Sequence, residues 1–109
     1  MKPRRSDMAK FVFIYHGGKK PESDEETAAV MAEWGAWLGA LNATDPGAPF
    51  GPSSTVHADG SVADDGGTNP AAGYTIVDAD DKNDAIAKAK GCPILKAGGS
   101  VEICEAMQM

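Results

Sequence analysis

Phe11-Val12-Phe13-Ile14-Tyr15 is the stretch on which the fold turns. A run this short, aromatic and β-branched throughout, cannot make a helix, and Gly17-Gly18 stops it, so it reads as a strand. Phe11, Phe13 and Tyr15 project to one side and Val12 and Ile14 to the other. A strand apolar on both sides is built to be covered on both.

Beyond the glycines, Ser23-Asp24-Glu25-Glu26 sets a Ser and a Glu at capping-box spacing, with acids where the positive end of a helix dipole favours them. A helix is expected from here to about Asn42, before Asp45-Pro46-Gly47 breaks it. Met31, Trp34, Leu38 and Leu41, with Val30 and Trp37 alongside, give it one broad apolar face. Gly35 and Gly39 within that helix each cost ~1 kcal/mol relative to Ala, which points to a close approach of another backbone.

Asp45 to Asn69 is rich in Gly, Pro, Ser and Asp and reads as loops around one short hairpin, Thr55–Ala58 and Ser61–Ala63, turned at Asp59-Gly60. Gly73–Asp78 is the next strand, Asp80 or Asp81 caps a helix through about Lys90, and Ser100–Ala106 is the last strand. The order predicts an α+β ferredoxin-like βαββαβ sandwich, an antiparallel sheet with two helices on one face. That leaves one apolar sheet face bare, and a second copy of the chain is the simplest cover. The expectation is a homodimer, open to further pairing, whose two sheets face each other as a dimeric α+β barrel around a pocket.

At 109 residues the chain makes one domain, placed at residues 9–109, with residues 1–8 read as a disordered or arm-like N-terminus. The net charge of −6 argues against nucleic acid and anionic membrane as partners, since both require a basic footprint. No apolar run approaches the ~20 residues of a membrane helix. Cys92 and Cys104, without a secretory leader, suggest a cytoplasmic protein.

His16 ends the first strand beside flexible glycines, where an acid–base group could work, and is the foremost catalytic candidate, with Asp45 as an orienting carboxylate. Trp34, Asn69 and Tyr74 are the candidate ligand-binding residues: one indole facing a cavity, a loop entering a strand, and a hydroxyl able to orient an apolar ligand. His57 reads as a turn neighbour, Cys104 as a packing residue, and Cys92 as a poor nucleophile beyond a helix C-terminus. No metal is expected. The acids of Asp78–Asp84 open like a calcium loop, but Asn83 and Ala89 stand where Gly and Glu are required. No Walker loop, GxGxxG or GxSxG occurs, and no cofactor is called for.

Gly73–Asp80, Lys90–Leu95 and Gly98–Ile103, together with Lys10–Tyr15 and Trp34-Gly35-Ala36-Trp37, resemble the YCII-related family over about residues 8 to 109. The resemblance implies a dimeric α+β barrel of ferredoxin-like protomers. Some members resemble small cofactor-independent enzymes of aromatic degradation, including dehydrochlorinases of chlorinated hydroquinones. Where some carry a helix His proposed to act with an Asp, this chain has Trp34, which cannot transfer a proton. The Asp-Gly-Pro-Phe stretch of another branch corresponds loosely to Asp65–Pro70, without the Pro-Phe pair, so no family catalytic residue is carried across. Two readings stand side by side: a small-molecule enzyme performing proton transfer or elimination on a cyclic or aromatic metabolite, and a non-catalytic ligand-binding or interaction module.

Overall fold

The computed structural model describes residues 8–107, so the arm expected at residues 1–8 lies almost wholly outside the described residues. Strand β1 (Ala9–His16) leads to helix α1 (Asp24–Leu41) and edge strand β2 (Asp45–Pro49). A hairpin of β3 (Thr55–Val56) and β4 (Val62–Ala63) precedes β5 (Ala71–Ala79), helix α2 (Lys82–Ala89), a 3-10 turn at Pro93–Leu95, and β6 (Ser100–Glu105). The main sheet runs β2-β5-β1-β6, antiparallel throughout, with β1 and β5 in the middle. This is the ferredoxin-like α+β order.

Local chemistry sets the helix ends. Ser23 accepts a hydrogen bond from the Glu26 N–H at 3.0 Å, while Glu26 reaches back to the Glu22 N–H at 2.9 Å. Asn42 closes α1 in the left-handed conformation (φ 54°). Asp81 caps α2 through the Asp84 N–H at 2.8 Å, and Asp84 returns to the Asp80 N–H at 3.0 Å. Those acids therefore serve helix capping, and among the described residues no cluster of three or more His, Cys, Asp or Glu could hold a metal ion.

Both helices lie on the face of Phe11, Phe13 and Tyr15, which are buried with Thr75 and Val77. Ala85 and Ala89 are small enough to let α2 settle close to that layer. Helix α1 covers it with large side chains instead: Trp37 stacks on Phe13 at 6.3 Å and Trp34 meets Tyr15 edge-on at 5.0 Å. The Trp37 indole N–H donates to the Lys88 carbonyl at 3.1 Å and so ties α1 to the end of α2. The opposite face carries Val12 and Ile14 against their partners Ile76 and Tyr74 on β5 and Cys104 and Glu102 on β6. No element among the described residues covers it, and Val12, Ile14, Tyr74 and Ile76 stay half-exposed.

Three expectations are corrected. The second strand of the sandwich is Asp45–Pro49, not the hairpin, which forms a separate two-stranded sheet. Two prolines and a glycine in five residues look like a breaker, but an edge strand needs only one side of its backbone, and a bulge between Asp45 and Ala48 accommodates Gly47 at φ 79°. Gly35 and Gly39 meet no close backbone: both lie on the exposed side of α1, and a Cβ at either position would find nothing within 4 Å. Cys104, read as a packing residue, is exposed on the uncovered sheet face.

A Cβ at Gly47 would overlap the Tyr74 carbonyl group, on a backbone that L side chains rarely adopt. In urea titrations Gly47→Ala is expected to lose at least about 2 kcal/mol of stability, whereas Gly35→Ala gains up to about 1 kcal/mol. Equal effects at the two positions would contradict this assignment.

Candidate functional site

A cleft of about 720 Å³ opens between α1 and one end of the sheet. Its roof is the Val30, Met31, Trp34 and Leu38 side of α1, and its floor is Tyr15 and Thr75 with the Pro46–Pro49 edge. The Gly17–Pro21 loop and the Pro93–Ala97 segment close its sides. The volume falls within the roughly 300–1,000 Å³ of small-molecule sites. Room comes from side chains that are missing: Gly17, Gly18, Gly47, Ala48, Ala72, Gly73 and Ala97 all border the cleft. A Cβ at Gly73 would press on the Ala48 carbonyl at 3.0 Å and approach the Tyr15 ring at 3.5 Å.

The floor is polar at one point. Tyr15 Oη–H donates to Thr75 Oγ1 at 2.6 Å, and Thr75 Oγ1–H donates to the Pro46 carbonyl at 2.9 Å. Burial pushes the Tyr15 phenol up to about 12, so it stays protonated at neutral pH. At the mouth, Lys96 pairs with Glu33 of α1 at 3.2 Å and Lys19 with Glu22 at 3.7 Å. All four side chains are well exposed, and such pairs are worth at most about 1 kcal/mol.

The candidate residues separate into two places. Trp34 lines the cleft. Tyr74 borders it, yet its side chain belongs to the uncovered face: it pairs with Ile14, donates its hydroxyl to Asp45 Oδ2 at 3.2 Å, and stacks on Phe50 at 5.8 Å. The Asp45 carboxylate beside it raises the Tyr74 pKa, and Asp45 Oδ1 also accepts the Gly47 N–H at 2.9 Å. Asp45 therefore holds the β2 bulge and orients Tyr74. No hydrogen bond joins it to His16 among the described residues.

His16 sits on the uncovered face with a partner that sequence reasoning did not find. Its Nε2 lies 2.8 Å from Glu102 Oε1 on β6. Its Nδ1 lies 3.0 Å from the Asn69 carbonyl oxygen and 3.2 Å from that of Pro70. Carbonyls only accept, so Nδ1 carries a proton; the carboxylate at Nε2 calls for a second. The Glu102 contact, more than the two carbonyls, raises the His16 pKa above its ordinary value. Asn69 enters through its backbone oxygen rather than its side chain. Glu102 lies 86 residues from His16, and only the β1–β6 register, with Ile14 opposite Glu102 and Ser100 opposite His16, brings them together. Thr75 was likewise missed, reading in the sequence as an ordinary strand threonine.

His57 lies at the hairpin turn, as expected, its backbone N–H bonded to Ser61 O at 2.8 Å. Cys92 is buried, and burial pushes its thiol up to about 11, consistent with a poor nucleophile.

A four-stranded antiparallel sheet, two helices on one side, and a ligand-sized cleft beneath the longer helix define a ferredoxin-like α+β domain. Residues 10–109 match the family model of the YCII-related domain, and the chain belongs to that family. No curated protein matches it. Among the described residues no helix is long and apolar enough to cross a membrane.

The His16–Glu102 pair makes stability pH-dependent. With the folded pKa above the unfolded value of ~6.5, its contribution is complete below ~6.5 and is lost as pH rises through the folded value. Urea midpoints across about pH 5.5 to 9 are expected to fall with rising pH in wild type. Glu102→Gln should flatten that dependence; an unchanged slope would show that His16 does not titrate against Glu102.

Proposed function

We propose that this YCII-related domain binds a small, flat, largely apolar cyclic molecule in the cleft under α1, and does so as a homodimer. The cleft's construction carries this reading: an indole wall, a floor of small residues, and one polar point at Tyr15 and Thr75. No side chain on the floor offers a pKa near neutrality, since Tyr15 stays protonated. That favours binding over proton transfer within the cleft.

The dimer proposal rests on the uncovered apolar face. It also rests on shape: the chain spans 50 × 45 Å but is only 18 Å thick in its short dimension, one sheet and one helix layer deep. A flat half-structure becomes compact when its open face meets a twin.

A second reading, an enzyme performing proton transfer or elimination without a cofactor, is favoured by one observation. His16 and Glu102 form an acid–base pair at 2.8 Å on the face where a second sheet would pack, outside the cleft. The two readings separate cleanly by mutation. Toluene, a bare apolar ring, should shift the Trp34 indole N–H resonance. Ala97→Phe, which fills the cleft side, is expected to weaken that binding at least about tenfold, while His16→Ala leaves it within about twofold. Binding indifferent to Ala97→Phe would rule out the cleft.

A further inference from the structure

The hydroxyl chain on the cleft floor has a fixed direction. The Pro46 carbonyl can only accept, so the single Thr75 hydroxyl proton is committed to it at 2.9 Å. Thr75 Oγ1 can then only accept from Tyr15, whose own proton is committed in turn at 2.6 Å. The reverse orientation would set two lone pairs against each other at Pro46. Tyr15 Oη thus has no proton left to offer and presents lone pairs alone. Its protonated state persists up to about 12, so it does not become an anion under ordinary conditions. The acidic and basic side chains around the cleft, Lys19, Lys20, Lys96, Glu22, Glu26 and Glu33, belong to its exposed mouth.

Resting on the cleft-binding reading above, we infer that this site selects uncharged cyclic ligands by a hydrogen-bond donor, an O–H or N–H on the ring, which Tyr15 Oη accepts. Tyr15 is the specificity-determining contact. Thr75 is a positioning residue: by taking the Tyr15 proton and passing its own to Pro46, it turns the phenol into an acceptor. A ligand offering only an acceptor at that point meets lone pairs in a largely apolar site, and leaves the Tyr15 Oη lone pairs without a donor. An apolar site built around one polar contact discriminates most strongly against the analogue that cannot make it.

Phenol and anisole test this, since they share a ring and an oxygen but only phenol donates. Calorimetric titration of the wild-type protein should show phenol binding about tenfold more tightly, the equivalent of one net hydrogen bond. Tyr15→Phe should bring the ratio to about one, by weakening phenol and by relieving anisole of the facing lone pairs. Thr75→Val, close in shape, should narrow the ratio by strengthening anisole, because the Tyr15 proton is released to donate; Thr75→Ser should restore the wild-type ratio. A structural role for Thr75 would move both ligands together. Equal binding of phenol and anisole by wild type, with toluene still shifting Trp34, would overturn the donor rule while sparing the cleft. Failure of all three ring compounds to perturb Trp34 would overturn both.

Discussion

The structure depends on a central strand that is apolar on both sides, with helices among the described residues for only one. Right-handed crossovers carry α1 and α2 to the same face, and that face is the side of Phe11, Phe13 and Tyr15. Val12 and Ile14 are left on the other side, facing Ile76 and Tyr74 across β5. The consequences reach both candidate sites. The covered face gains its cleft because α1 rests on indoles rather than on small residues. The open face gathers His16, Glu102, Asp45 and Tyr74, where the proposed second copy would enclose them.

The two helices solve the same covering problem in opposite ways. Ala85 and Ala89 bring α2 down onto Val77 and Ala79, sealing that end of the core. Trp34 and Trp37, nearly perpendicular to each other at 5.7 Å, bridge a wider gap under α1. In the N-terminal half of α1, Met31 is 66% exposed at the cleft roof. Close packing at one end and a ligand-sized space at the other thus follow from side-chain volume. The proposed binding site is where the core was left unfilled.

Much of this was legible from residues near one another in sequence. The Phe11–Tyr15 strand, the Ser23 cap, a second cap at Asp80 or Asp81, the hairpin around Asp59-Gly60 and the α+β order all announce themselves through local spacing. Strand β2 did not, because Pro46, Gly47 and Pro49 deny strand propensity and only pairing with β5 makes them one. Gly35 and Gly39 misled for the converse reason: their cost is local, and nothing packs against either to offset it. The site was the least legible part. His16 is visible as a strand-end histidine, but Glu102 reaches it through register, and the Tyr15–Thr75–Pro46 chain crosses three strands. Such contacts arise only once pairing and bulges are set.

Sedimentation or light scattering at micromolar concentration tests the covering constraint most directly. The expected particle has twice the 11.3 kDa chain mass, reduced to the mass of one folded chain when Ile14→Lys places a charge at the middle of the open face. A wild-type protein that is folded and monomeric, with Ile14→Lys leaving mass and stability unchanged, would contradict that constraint.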